Sequence, residues 1–446
     1  MARASREIQW RAEYFLYVAF ESSFRLLPIS WCFRIGEFFG AIACILMKKR
    51  RHAVHRNLRA IYHREKSEEQ IVALTRAVFR RSGANLLSSI KTATLPPEKI
   101  RECLVLEGLE LIEELNAEGR GIIAVLAHMG NWEVLAQTGQ FSCPENPSGS
   151  FYRPLKNPYL DRLIKQRRES QKNLAFSRRE GMTAACAHLQ EGGILGVLTD
   201  QRVGRAGVLV PYFGRLSPYT PMLDLLKRRT GSTAIGVAVI TERPGRWIIR
   251  FIHPIPSDVE ANSADFAWIT EQLLRESPVD GFWIHDRWKL PPRPFDRFDR
   301  HGIEYPLRNE VVLERLEFGF VVSRHDSFER TLRIAEHLVG QQDDLACRIF
   351  VSESIPTAAS KTQPGIDRIE VRAVPQQDLD AAIEERNSQH PLFLVLTWEE
   401  KRGCLDPVIP QIVLSPGSSD EEIRDRLGAN PIRLEELQEK VRASAT

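Results

Sequence analysis

Three rhythms of apolar and polar residues divide the chain. From Trp10 to Met47 Phe, Leu, Ile and Tyr dominate, as in "YFLYVAFESSFRLLPISWCFRIGEFFGAIACILM". Glu21, Arg25, Arg34 and Glu37 cut this stretch into apolar pieces of about ten residues, shorter than the roughly twenty a clean bilayer span requires. A cluster of Lys48, Lys49, Arg50, Arg51, His52, His55 and Arg56 follows directly. Aromatic and aliphatic faces with a basic flank predict a helical hairpin lying in a membrane interface. A buried helical pair capping a soluble core is the alternative. Residues 66–92 then read as polar, amphipathic helices.

From Gly121 the rhythm changes to short apolar runs separated by helical stretches. Strand-like runs occupy 121–127, 194–199, 234–240 and 247–252, with helices between them at 132–139, 158–173, 181–191 and 219–230. Such alternation predicts an α/β sheet covered on both faces. "PPRPFDRFDRHGIEYP" (291–306) is rich in proline and charge and marks a domain boundary. Beyond it, runs at 318–324, 347–353, 368–374, 391–398 and 410–416 alternate with helices at 327–339 and 377–387. This third rhythm predicts a small doubly wound α/β domain. It carries neither G-x-G-x-x-G nor a phosphate-loop lysine, so no activity is assigned to it. The expected organisation is 1–60 membrane-associating helices, 61–295 a central domain, 296–306 a linker and 307–446 the C-terminal domain.

Composition changes this picture little. At 446 residues two or three domains are expected. A net charge of +3 is too small to imply a nucleic-acid partner. The seven cysteines are scattered and form no C-x-x-C pair, which argues for a reducing compartment and against zinc. The charged stretch from Ala2 to Arg11 leads to no small-residue cleavage site, so no cleavable secretory signal is expected.

The candidate chemistry lies where strands end. In "GIIAVLAHMGNWEVLA" an apolar run ends on His128, and Glu133 follows across a turn holding Gly130 and Asn131. Carboxyl ends of strands are where α/β sheets place ligands. Asn131 is positioned to cap the next helix, with Glu133 in its first turn. A carboxylate folded back onto the imidazole would fix its tautomer and strengthen it as a base toward a hydroxyl. Spacing alone equally fits a histidine bonded to a backbone carbonyl beside an ordinary first-turn glutamate. "GVLTDQRVG" ends another strand on Asp200 and Arg202 in the equivalent place. Arg153, after a strand and among aromatics, and Arg167 and Arg168 on the next helix suit phosphate groups. "FWIHDRWK" (282–289) interleaves aromatics with His285, Arg287 and Lys289, which suits an anionic amphiphile but equally packed structure.

In order, "AHMGNWE", "YRP..NP..D", "TDQRVG....VPYFG" and "FWIHDRWK" resemble the bacterial lipid A late acyltransferases, the lauroyl and myristoyl transferase family. "RRHAVHRNL" resembles the basic turn after that family's N-terminal anchor, and the likeness covers roughly residues 8–295. It implies a glycerol-3-phosphate acyltransferase-like mixed sheet covered by helices, behind an N-terminal anchor at the cytoplasmic face of the bacterial inner membrane. It implies transfer of a fatty acyl chain from acyl-carrier protein, or acyl-CoA, to a hydroxyl of a glycolipid, a lipid A precursor. His128 would be the general base and Glu133 its orienting partner, with Arg153, Arg168, Asp200 and Arg287 meeting substrate.

Three departures from the family pattern are visible. Its "GR.R" helix is here "QRRES", the second aspartate of its "D.D.G" loop is Arg202, and its "HRR[FW]K" reads His285-Asp286-Arg287-Trp288-Lys289. A thioester is already activated, so no cofactor is expected. Backbone N–H groups at Gly130 and Asn131, or an arginine, are the expected oxyanion donors. Two other readings stay open here: an acyltransferase for another acceptor, such as a phosphatidylinositol mannoside or lysophospholipid, and a non-catalytic membrane scaffold.

Overall fold

In the computed structural model, the described residues are 2–63, 65–142, 145–152, 154–169, 173–177, 181–203, 207–285, 287–288, 304–308, 316–323, 327–340, 345–355, 368–389, 394–398 and 411–427. They are mixed α/β and form two units by contact, one built mainly from residues 1–287 with 304–310, the other mainly from 311–446.

The first unit begins with α1 (Ala2–Arg25), α2 (Ile29–Leu46), α3 (Lys48–Tyr62) and α4 (Glu68–Thr92). Pro28, with φ −57°, separates the first two, since it fixes its own φ and disfavours helix in the residue before it. α2 runs unbroken through Arg34 and Glu37, so the pieces that looked too short form one helix long and apolar enough, by length and composition, to cross a membrane. Its glycines explain how it packs. A Cβ on Gly40 would stand 2.2 Å from the Phe79 carbonyl oxygen and one on Gly36 2.4 Å from that of Gly83, so α2 crosses α4 backbone to backbone. The helices expected over 66–92 are the single α4, started by a capping box between Ser67 and Gln70.

Nine strands follow: β1 (Leu104–Glu107), β2 (Ile122–Leu126), β3 (Ser148–Tyr152), β4 (Asn173–Ser177), β5 (Ile194–Leu198), β6 (Val208–Tyr212), β7 (Arg215–Tyr219), β8 (Thr233–Arg243) and β9 (Arg246–Ile255). Seven form one sheet in the order β1-β9-β8-β2-β5-β3-β4. All neighbours are parallel except β8 and β9, which pair antiparallel through the turn at Gly245, φ +83°. β2 is central and buried at every residue, which is why it reads as pure core. The apolar-run reading passes over β1 and β4. Both are short edge strands: β1 is intermediate in burial throughout and ends on Glu107, and β4 has the polar residues Asn173 and Ser177 at its ends.

Glu304 and Tyr305, placed by the sequence in the linker, pack on the first unit. The Glu304 N–H donates to Leu209 O at 2.9 Å, and Asn262 Nδ2 donates to Tyr305 O at 2.7 Å. Leu307 and Arg308 donate their N–H groups to Asp265 at 3.2 and 3.0 Å. The second unit holds β10 (Leu316–Val322), β11 (Leu345–Ser352), β12 (Ile369–Val374), β13 (Val395–Trp398) and β14 (Gln411–Leu414). All its pairings are parallel, in the order β12-β11-β10-β13-β14, so the order reverses beside β10. Helices Phe328–Gly340, Leu379–Gln389 and Asp420–Leu427 belong to it, and Leu379, Ile383, Phe350 and Val395 close part of its core.

Candidate active site

β2 and β5 are parallel neighbours with Leu126 opposite Leu198, and the Thr199 N–H continues the ladder to Leu126 O at 3.0 Å. Two residues beyond each partner stand His128 and Asp200, brought side by side by that register. His128 Nδ1 and Asp200 Oδ1 are 2.7 Å apart, with side chains 17% and 7% exposed. Burial alone would lower the His128 pKa. The charge and hydrogen bond of Asp200 outweigh that and, with a smaller contribution from Glu133, hold it above its ordinary value. Burial would raise Asp200, and the adjacent imidazole keeps it low instead. The pair is therefore an oriented imidazole whose Nδ1 faces a carboxylate, which leaves Nε2 for chemistry.

The turn after His128 is fastened on all sides. Phe282 N–H donates to His128 O at 2.8 Å, and Gly130 N–H donates to Asp280 O at 3.0 Å. Asp280 is buried and accepts from Asn85 Nδ2, Ser277 Oγ and both the N–H and hydroxyl of Thr241, at 2.6 to 3.1 Å. Asn57 of α3 donates to Trp283 O and His285 O at 2.9 and 2.6 Å. Gly130 takes φ +54° and a Cβ there would meet Val239 O at 2.3 Å, so no other residue fits. Trp132 sets its ring edge-on to His128 at 5.2 Å, and Phe282 lies 5.5 Å beyond. Gln201 Nε2 approaches His128 Nε2 at 3.3 Å. An apolar cavity opens beside this cluster, with Trp132, Glu133, Leu135, Phe151, Ala124 and Leu198 among its walls.

Several expectations change here. The partner of His128 Nδ1 is Asp200, not Glu133, because strand register carries residue 200 to the ring. Glu133 sits in the 3₁₀ turn Trp132–Val134, lines the cavity and reaches His128 through its charge. Asp200, expected to meet substrate, is engaged with the histidine. Asn131 does not cap the following helix; it is buried and donates Nδ2 to Thr92 Oγ1 at 3.2 Å. The Gly130 N–H, expected to serve an oxyanion, is already committed to Asp280. Arg287, expected to meet substrate, is buried. It is 4% exposed, with its guanidinium 4.5 Å from the Tyr212 ring and 5.7 Å from that of Tyr219, and it has no hydrogen-bond partner among the described residues. Its charge helps to hold Asp200 ionised.

Arg167, expected to suit a phosphate group, donates its Nη2 to buried Glu21 of α1 at 2.6 Å. Arg153 lies outside the described residues, as does the side chain of Arg168, although its backbone belongs to the helix Pro158–Glu169. The sequence reading missed Gln201 as a neighbour of His128. The available signal was its position one residue after Asp200, at a strand end matched to that of His128.

A buried, carboxylate-held imidazole at the end of a central strand, beside an apolar cavity, is an arrangement that can serve as a general base toward a hydrocarbon-bearing substrate. Residues 2–290 match the family of bacterial lipid A biosynthesis acyltransferases, and the chain belongs to that family. It is therefore an O-acyltransferase of lipid A biosynthesis, with a glycolipid acceptor. It is 26% identical over 273 residues to the lipid A biosynthesis lauroyltransferase of Escherichia coli K12, covering 60% of this chain and 88% of that protein. To the palmitoleoyltransferase of the same organism it is 24% identical over 267 residues, covering 58% and 85%. To a lipid A biosynthesis acyltransferase of Haemophilus influenzae it is 25% identical over 182 residues, covering 40% and 56%. None of these matches covers more than 60% of this chain.

Proposed function

We propose that the protein transfers a fatty acyl chain from the thioester of acyl-carrier protein to a hydroxyl of a lipid A precursor, with His128 as general base. The observation that carries this reading is the 2.7 Å bond from Asp200 to His128 Nδ1 beside an apolar cavity. With Nδ1–H donated to Asp200, Nε2 presents its lone pair, and an incoming hydroxyl displaces the Gln201 amide from it. Nε2 takes the hydroxyl proton as the oxygen bonds to the thioester carbonyl carbon. Asp200 stabilises the imidazolium that forms, and Arg287 behind it keeps the carboxylate charged. Collapse of the tetrahedral intermediate breaks the C–S bond. The proton returns from Nε2 to the departing thiolate, leaving an ester and a free carrier thiol. The chemistry uses an already activated donor and requires no cofactor.

Two of the residues singled out from the sequence take revised roles. Asp200 orients and Glu133 biases the ring electrostatically from the cavity wall. Arg153 and Arg168 grip phosphate on the acceptor or on the carrier's prosthetic arm. The N-terminal hairpin places the enzyme at the cytoplasmic face of the bacterial inner membrane, a reading supported by Phe15, Leu16, Trp31, Phe38 and Leu46, each more than 60% exposed. Mass spectrometry of the host's glycolipids with and without the protein tests this. Loss of one acyl chain from lipid A is expected. An unchanged lipid A with a change in another lipid would overturn the acceptor.

A further inference from the structure

A second pocket, sharing no lining residue with the cavity beside His128, lies among the last turns of α2, the start of α3 and the middle of α4. Its volume is about 750 Å³, within the ~300–1,000 Å³ of small-molecule sites. Its floor is apolar, from Ala41, Cys44 and Val72, and its rim is cationic, from Arg51, Arg76 and Arg80. The neighbouring carboxylate, Glu68, is occupied by His55 Nε2 at 2.7 Å and Arg59 at 3.6 Å. Arg51 donates only to the Cys44 carbonyl, at 3.1 Å, and Arg76 and Arg80 have no carboxylate or hydrogen-bond partner among the described residues. The rim thus concentrates positive charge that the described residues do not neutralise. At its edge Ile45, and immediately beyond it Leu46 and Met47, are 66%, 73% and 46% exposed.

We propose that this pocket seats the phosphate headgroup of an anionic glycerophospholipid, with the lipid's chains running along the exposed apolar side of α2. Charge complementarity carries the headgroup, because guanidinium forks bind phosphate oxygens bidentately. The apolar floor and the exposed residues of α2 carry the chains, which distinguishes a lipid from a free phosphate ester. The inference rests on the membrane reading of the N-terminal helices and deepens it. The seat fixes where the enzyme stands in the membrane, separately from the acceptor's own site.

Vesicle flotation of the full-length protein tests it, using phosphatidylcholine alone and phosphatidylcholine mixed with phosphatidylglycerol. Arg76→Gln/Arg80→Gln should weaken binding to the anionic vesicles about tenfold more than the charge-matched control Lys48→Gln/Lys49→Gln, which lies outside the pocket. The excess should survive raised salt, which screens a diffuse surface charge more than a seated contact. Arg76→Lys/Arg80→Lys, which keeps the charge but loses the fork, should fall between them. Equal losses in the arginine and lysine variants would overturn the seat. So would displacement by soluble glycerol phosphate, or a raised acceptor KM with vesicle binding unchanged. A parent protein that floats with neither vesicle would instead overturn the membrane reading beneath it.

Discussion

At the carboxyl ends of β2 and β5, His128 and Asp200 meet at 2.7 Å and leave Nε2 only loosely held by Gln201 at 3.3 Å. At the end of β13, in the second unit, Trp398 gives its Nε1–H to Thr331 Oγ1 at 2.8 Å. Arg330 stacks 5.1 Å over its ring and bonds to Asp420 at 2.6 Å and Pro416 O at 2.7 Å. Both are strand ends of a parallel arrangement, yet the described groups of the second satisfy one another. A strand end is only a place; chemistry there needs a polar group held in position and not consumed by its neighbours.

The comparison breaks most sharply at His128. His128→Ala should lower kcat by about 10²–10⁴, the usual worth of a general base, measured per folded molecule because the variant leaves the Asp200 carboxylate without its partner. A near-parental rate would return the residue to a structural role. Next comes the choice between carboxylates. Asp200→Asn should cost about tenfold or more in kcat/KM, and Glu133→Gln less. In the proposed mechanism unprotonated His128 is the active form, and its pKa is raised, so kcat/KM should rise with pH through a limb above 6.5. Removing Asp200 leaves burial opposed only by the smaller contribution of Glu133, so that limb should move to lower pH in Asp200→Asn. A larger loss in Glu133→Gln, or an unmoved limb, would restore the glutamate as partner.

On the second sheet, Thr331→Val strands the buried Trp398 N–H and should cost about 1–3 kcal/mol in chemical denaturation. Acyl transfer per folded molecule should not change; a lost rate would show that the second unit contributes to catalysis. The smallest effect concerns Glu271, whose carboxylate accepts the Phe213 N–H at 2.7 Å and is pushed by burial to about 7. Its folded pKa exceeds the unfolded one, so its contribution to stability is complete below about 4.5 and is lost as pH rises through 7. Glu271→Gln should therefore melt above the parent beyond pH 7 and match it in acid. A gain that does not vary with pH would remove ionisation as the cause.

What could be read from the chain alone were features carried by neighbours in sequence. Apolar runs marked β2, β5, β8 and β9 because a sheet buried on both faces needs side chains apolar at consecutive positions. They also placed His128 and Asp200 at equivalent strand ends, and ordered short motifs carried the family. The short edge strands β1 and β4 escaped, since polar residues at their ends break the apolar run.

Only the tertiary structure decided which carboxylate holds His128. A separation of five residues made Glu133 the natural partner on paper. The Leu126–Leu198 register spans 72 positions of sequence and delivers Asp200 to Nδ1. The same holds for Gly130, whose N–H is committed to Asp280, and for Arg287, drawn between two tyrosine rings. Local pattern determines which face of an element is apolar; strand register and packing determine which polar groups meet and which remain available to a substrate.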